Sequence, residues 1–158
     1  MEIKIGHDSD THPLKKGKVL YLCGIKIPYD KGLEGHSDAD VVLHSVAGSI
    51  IGALGLGDLG TLFKDDNPDY KDIRSDYFIY KVNDLMKLYG YKINNIDITI
   101  YIEKPKINEY IINMKDHLAN LLNISNDKIN IKATHLEGLG FIGRGEGVTA
   151  DSVVLLIK

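Results

Sequence analysis

The chain has a single cysteine, Cys23, in 158 residues. An intrachain disulfide is therefore excluded, and no thiolate cluster exists to hold zinc. Following Tyr21 and Leu22, Cys23 reads as a small buried hydrophobe. No apolar run reaches the length of a membrane span, and residues 1–15 read as a strand and a polar loop, not as a signal sequence. Neither sign of charge dominates. The 19 basic and 22 acidic residues are interspersed and sum to -3, so the chain lacks the basic stripe that displaces counterions from a nucleic-acid backbone. Walker spacing is absent, as is a GxGxxG turn after the first strand, which removes the two commonest nucleotide-loop readings. There is no repeat and no long linker. With 44% hydrophobic and 26% charged residues, residues 1–158 fit one domain able to bury a proper core.

Two hydrophobic periods alternate along this domain. Residues 2–5 read as a brief strand ending at Gly6, and 18–25 as an extended run before Pro28. Residues 39–55 place aliphatic and small side chains at helical spacing, with Ser37 or Asp38 as the expected N-cap. Gly48 and Gly52 would let that helix approach a neighbour closely. A Gly- and Asp-rich loop follows at 56–69, then a helix over 70–89 ending at Gly90. A strand over 95–102, a helix over 108–122 and a strand over 129–134 lead to a Gly-rich loop at 138–147 and a last strand over 151–157. This is an α+β pattern: helices packed against a mixed β-sheet.

Three polar groups break the pattern. In GHDSDTH, Asp10 and His12 lie two apart, so an extended segment sends both side chains to one side. His44 falls inside the apolar helix and offers a third ligand. Two imidazoles and a carboxylate make a plausible zinc set with an open fourth position. A core histidine bonded to backbone or to Asp40 is the plain alternative, and the same Asp40 could instead orient a metal-bound His44. His7 and Asp8 read as hydrated loop residues. In EGHSDAD, Ser37 and Asp38 read as caps, while His36 at the helix entry can donate to an anion held by free helix N–H groups. In THLEGLGFIGRGEG, Thr134, His135 and Glu137 precede a run of glycines and Arg144, the parts from which phosphate sites are made. Glu137 could ligate Mg2+ or Mn2+, and an Arg144–Glu146 ion pair within the loop is the bland reading.

Taken in order, IGHDSDTH, IPYDKGLEGHSDAD, ALGLGDLGTLF, IEKPKI and LGFIGRGEG resemble the 2-C-methyl-D-erythritol 2,4-cyclodiphosphate synthase family over essentially the whole chain. The resemblance implies a homotrimer with active sites between subunits. It implies Zn2+ on Asp10, His12 and His44, and Mg2+ or Mn2+ on Glu137. It assigns catalytic contacts with phosphate to His36 and His135. Substrate contacts fall to Ser37, Asp58, Gly60, Asp65 and Thr134, cytidine contacts to Pro105 and Lys106, and nucleotide phosphate contacts to Phe141 and Arg144. The implied substrate is a cytidine diphosphate-linked methylerythritol phosphate, closed into a cyclic diphosphate with release of CMP, with no nucleic acid or membrane partner.

This chain departs from the family pattern at Asp8-Ser9, where glycine and a hydrophobic residue are usual, at His135, where threonine is common, and at Gly138, commonly basic. A zinc phosphohydrolase and a non-catalytic trimeric interaction protein are the competing readings. A bacterial source implies the cytoplasm; a plastid-bearing source implies plastid or apicoplast stroma after loss of a targeting segment.

Overall fold

The computed structural model describes all residues 1–158. In chain order its elements are β1 (Ile3–Lys16), β2 (Leu20–Leu22), β3 (Ile25–Ile27), β4 (Lys31–Leu33), α1 (Val41–Leu54), α2 (Leu59–Leu62), α3 (Asp76–Leu88), β5 (Lys92–Tyr101), α4 (Ile111–Leu122), β6 (Ile129–Thr134), α5 (Gly140–Gly143) and β7 (Gly147–Ile157). Five strands form one mixed sheet in the order β4-β1-β7-β5-β6, with only β5 and β6 parallel; β2 and β3 form a separate hairpin. The expected α+β architecture is the observed one.

The largest departure from the sequence reading is β1. It does not stop at Gly6 but continues through the polar segment to Lys16, because β7 pairs with it from Ile3↔Ile157 to Pro13↔Gly147. A polar run extends when a long partner strand takes its backbone groups, which no local pattern reports. His7 and Asp8 are therefore strand residues, not loop residues: His7 is exposed on the outer face and Asp8 is half-buried on the inner one. β7 likewise begins at Gly147, earlier than the expected 151. The run 18–25 is not one strand. It folds into the β2–β3 hairpin at Cys23 and Gly24, with φ of 52 and 77°, the left-handed pair a two-residue turn requires.

The inner face of the sheet is built by alternation: Ile96, Ile98 and Ile100 on β5 and Val148, Ala150, Val154 and Leu156 on β7 are all buried. α1 lies across this face with 13 of its 14 residues buried, so it is a core helix. Its approach to β1 depends on two glycines. A Cβ at Gly48 would lie 1.8 Å from Asp8 Oδ2, and one at Gly6 would lie 1.8 Å from the Ser49 carbonyl. The outer sheet face carries Ile3, Ile5 and Val153 in the open, exposed by 56, 67 and 43%.

The helix boundaries moved where caps decide them. α1 is capped by Asp40, whose side chain accepts from the Val42 and Leu43 N–H groups, and not by Ser37 or Asp38. α3 starts at Asp76, six residues later than expected, after a 3-10 turn at Pro68–Tyr70. Short helical turns, α2 and α5, occupy the two Gly-rich loops.

α3 and α4 are joined by an ion pair, His117 Nε2 to Asp76 Oδ1 at 3.0 Å. That hydrogen bond, outweighing partial burial, raises the His117 pKa above its ordinary 6.5. A histidine with a raised folded pKa stabilises the fold fully below its unfolded value and loses that contribution as pH climbs through the folded one. The H117Q variant is therefore expected to be less stable than the parent at pH 5.5–6, by up to about 1 kcal/mol after solvent screening. The deficit should shrink above neutrality; denaturant melts at both pH values check this, and a pH-independent gap would refute it.

Candidate active site

The alternation of β1 aims Asp10 and His12 at the same side as Gly6 and Leu14, toward α1, and α1 brings His44 to meet them. His44 Nδ1 lies 3.0 Å from Asp10 Oδ2, and His12 Nε2 lies 3.3 Å from the same oxygen. One donor atom from each residue falls within 4.8 Å of the others, and no other His, Cys, Asp or Glu cluster of this kind occurs in the fold. The rings meet edge-on at 5.5 Å. Burial alone would raise the Asp10 carboxyl, but hydrogen bonds with His12 and His44 outweigh it and hold Asp10 well below the usual carboxylate range. Asp10 in turn outweighs the burial that would lower His12, and raises it. Two imidazole nitrogens and one anionic oxygen converging at this spacing form a metal-binding triad.

The remote ring nitrogens are also occupied. His12 Nδ1 donates to the Glu34 carbonyl at 3.0 Å, which leaves Nε2 as the ring atom that faces Asp10. This orients the ring as a metal-binding histidine needs. Asp40 does not orient His44, as one reading of the sequence held. Its carboxylate is consumed by four backbone N–H groups, those of Cys23, Gly24, Val42 and Leu43 at 2.7–3.1 Å.

The triad opens on a cleft of about 230 Å³ that also gathers His36, Ser37, Gly60 and Asp65, under an aromatic wall of Phe63, Tyr70 and Phe78. These rings pack edge to face, Phe63 against Phe78 at 5.1 Å. His36 Nε2 donates to the Asn67 carbonyl at 3.0 Å. The helix N–H groups expected beside it are already taken by Asp40, so α1 offers no free N-terminus to an anion. Asp58 caps α2 instead of lining the cleft: it accepts from Thr61 N and Oγ at 2.7 and 2.6 Å, bonds that depress its pKa. Asp8, the atypical neighbour, lies along β1 under Gly48, its carboxyl raised first by burial and further by the Asp10 charge.

The late-loop residues sit elsewhere on the chain. Pro105, Lys106, Thr134 and His135 line a separate cleft of about 250 Å³ that shares no residue with the first. Glu137 is exposed, at φ 52°, and is not part of the triad. Sequence reasoning passed over the residue that shapes its loop: Glu103, whose two carboxylate oxygens accept the Leu136 and Gly138 N–H groups at 3.0 and 3.1 Å, on either side of Glu137. Its position one residue before Lys104-Pro105 was the only hint. Phe141 borders a hollow that also touches Thr11 and His12. Arg144 is forked onto Glu146, Nε to Oε1 at 2.8 Å, the ion pair the loop composition allowed.

The match to the YgbB family spans residues 3–157. A 2-C-methyl-D-erythritol 2,4-cyclodiphosphate synthase of Clostridium acetobutylicum is 52% identical over 155 residues, covering 98% of this chain and all of the relative. The enzyme of the same name from Clostridium perfringens is 47% identical over 156 residues, 99% of this chain and all of the relative. Among solved structures, IspF of Plasmodium falciparum in complex with CDP superposes with a TM-score of 0.87 at 34% identity, covering 98% of this chain and 96% of that one. The bifunctional IspDF of Campylobacter jejuni gives 0.94 at 37% identity, over 98% of this chain and 42% of that longer one.

Proposed function

This chain belongs to the YgbB family of 2-C-methyl-D-erythritol 2,4-cyclodiphosphate synthases, and we propose that it turns 4-diphosphocytidyl-2-C-methyl-D-erythritol 2-phosphate into 2-C-methyl-D-erythritol 2,4-cyclodiphosphate and CMP. The step belongs to the non-mevalonate route to isoprenoid precursors and makes the protein a phosphorus-oxygen lyase. The observation that carries the reading is the Asp10–His12–His44 triad at the mouth of the cleft. Nitrogen donors with one carboxylate suit zinc; the oxygen of Glu137 would suit the harder Mg2+ or Mn2+. When bound, such ions neutralise and polarise phosphoryl oxygens.

The chemistry asks little of the protein as an acid or base. An oxygen of the 2-phosphate attacks the β-phosphorus, the α–β bridge breaks, and CMP leaves. A phosphate monoester has a second pKa of about 6, so the nucleophile is already ionised near neutrality. What remains is folding a flexible substrate so that its two ends meet, which is positioning. In this reading His36 and Ser37 hold phosphate at the metal cleft, and Asp65 and Gly60, with Asp58 setting the turn, enclose the methylerythritol. Thr134 and His135 hold phosphate at the second cleft, beside the cytidine site of Pro105 and Lys106, and Phe141 and Arg144 complete the nucleotide side.

Two clefts without a common residue must serve one substrate. Together with the apolar outer sheet face, this supports a homotrimer in which one subunit's triad faces its neighbour's nucleotide cleft. No helix is long and apolar enough to cross a membrane. The bacterial relatives support a cytoplasmic setting.

The test is product analysis with the cytidine-linked substrate, Zn2+ and Mg2+ or Mn2+. CMP with the cyclic diphosphate is expected; CMP or inorganic phosphate with only linear methylerythritol phosphates would establish a hydrolase instead. In the same assay E137A is expected to shift the Mg2+ or Mn2+ requirement to higher concentration, and an unaltered metal dependence would remove Glu137 from the site.

A further inference from the structure

The far nitrogen of His44 is held in part by a buried chain of groups, beginning at Ser75, that the reaction does not use. His44 Nε2 points away from Asp10 toward two hydroxyls, Ser75 Oγ at 2.9 Å and Ser37 Oγ at 3.1 Å. Ser37 borders the cleft, whereas Ser75, just before α3, is wholly buried. The hydroxyl of Ser75 is in close hydrogen-bond contact with Asp38 Oδ1, and its backbone N–H donates to Asp38 Oδ2 at 3.0 Å. The Asp38 carboxylate is fixed from two further sides, by the Asp40 N–H at 3.1 Å and by Arg74 Nε at 3.3 Å. Arg74 is itself pinned, donating to the Gly24 carbonyl at 2.8 Å and lying 3.9 Å above the Tyr21 ring.

The direction of each hydrogen bond follows from what each group can do. A carboxylate oxygen only accepts, so the Ser75 hydroxyl gives its single hydrogen to Asp38. What Ser75 then presents to His44 is a lone pair, and the nitrogen that meets it must carry hydrogen. Nδ1, the atom 3.0 Å from Asp10 Oδ2, shares a hydrogen with that carboxylate while no ion is bound, and it is the nitrogen whose lone pair an incoming metal would take once that hydrogen leaves. We infer that Ser75, held in place by Asp38, is a positioning residue that fixes His44 in the Nε2–H tautomer and so makes Nδ1 the metal-binding atom. His12 is set in the opposite sense by the Glu34 carbonyl, so the two histidines present different ring nitrogens to one point. Ser75 touches no substrate cleft; it acts through His44 alone.

This rests on reading Asp10, His12 and His44 as a zinc site, and the test separates the two claims. Zinc affinity is measured by chelator competition for wild type and S75A, and histidine ring nitrogens are observed by 15N–1H correlation spectra. S75A is expected to bind zinc roughly 10- to 100-fold more weakly, the scale for loss of a group that orients a metal ligand. Zinc-loaded wild type is expected to show one slowly exchanging hydrogen on Nε2 of His44, and zinc-loaded S75A to exchange that hydrogen measurably faster, a change that a purely structural role would not produce. Equal zinc affinity in a folded S75A, or zinc-loaded wild type with hydrogen on Nδ1 of His44, would overturn the inference. Should S75A fail to fold, the wild-type spectrum alone decides. Wild type that binds no zinc would instead fail the metal-site reading, and this inference with it.

Discussion

Replacing His44 with alanine is expected to empty the metal site and stop turnover while leaving the fold standing. The triad has only three protein ligands, within 4.8 Å of one another, so the variant keeps two. Loss of a direct ligand should weaken zinc binding by more than the roughly 10- to 100-fold that loss of an orienting partner costs. Removing one preorganised stabiliser of phosphoryl charge is also expected to lower kcat by at least roughly 100-fold. His44 is the helix residue that closes the triad, and its ring also meets Phe78 edge-on at 5.8 Å, so some stability is lost as well. Thermal melts distinguish that loss from unfolding. Zinc analysis after gel filtration checks the main expectation: H44A with one zinc per chain, as in the parent, would remove His44 from the site.

The second large effect is on stability. Asp40 is fully buried, and its carboxylate ties the Cys23–Gly24 turn to the start of α1 through four N–H groups. Burial, reinforced by the Asp38 charge, pushes its pKa up to about 6, against the donors that favour the anion. In D40A those N–H groups lose their acceptor together, and each buried donor left unpaired costs about 1–3 kcal/mol. Partial rescue by water reduces the sum, giving an expected loss of about 3–5 kcal/mol, the scale for breaking a buried charged network. D40N is the milder change, because Oδ1 alone accepts from Cys23, Val42 and Leu43 and an amide oxygen can replace it. Denaturant unfolding of both variants measures this, and a D40A loss below about 1 kcal/mol would show that Asp40 is only an ordinary helix cap.

Much of the site was readable because strands and helices place side chains with fixed periods. Two residues apart on any extended segment face one way, so Asp10 and His12 could be paired before their strand's true length was known. The aliphatic period around His44 placed it on a helix, and the order of HSDAD, KPK and GFIGRGE carried the family. Glu103 and Ser75 were not readable. Each works through hydrogen bonds to groups more than 30 residues away, Glu103 to Leu136 and Gly138, Ser75 to Asp38 and His44, and neither leaves a local signature.

By itself, then, the sequence determined the α+β class, the identity of the triad and one close-approach glycine of α1, Gly48; the other tight contact is at Gly6 on β1, while a Cβ at Gly52 would meet nothing nearer than 3.9 Å. The tertiary structure decided which of three neighbouring residues caps α1. Ser37, Asp38 and Asp40 are all competent caps in isolation, but the β2–β3 turn brings two more N–H groups to Asp40, and Ser75 and Arg74 engage Asp38. It also decided that β1 runs ten residues past Gly6, since a polar strand forms only where a partner as long as β7 accepts its backbone bonds. Local period fixes where a side chain points along its own element. Where that element lies, and so which side chains meet, depends on packing between segments far apart in the chain.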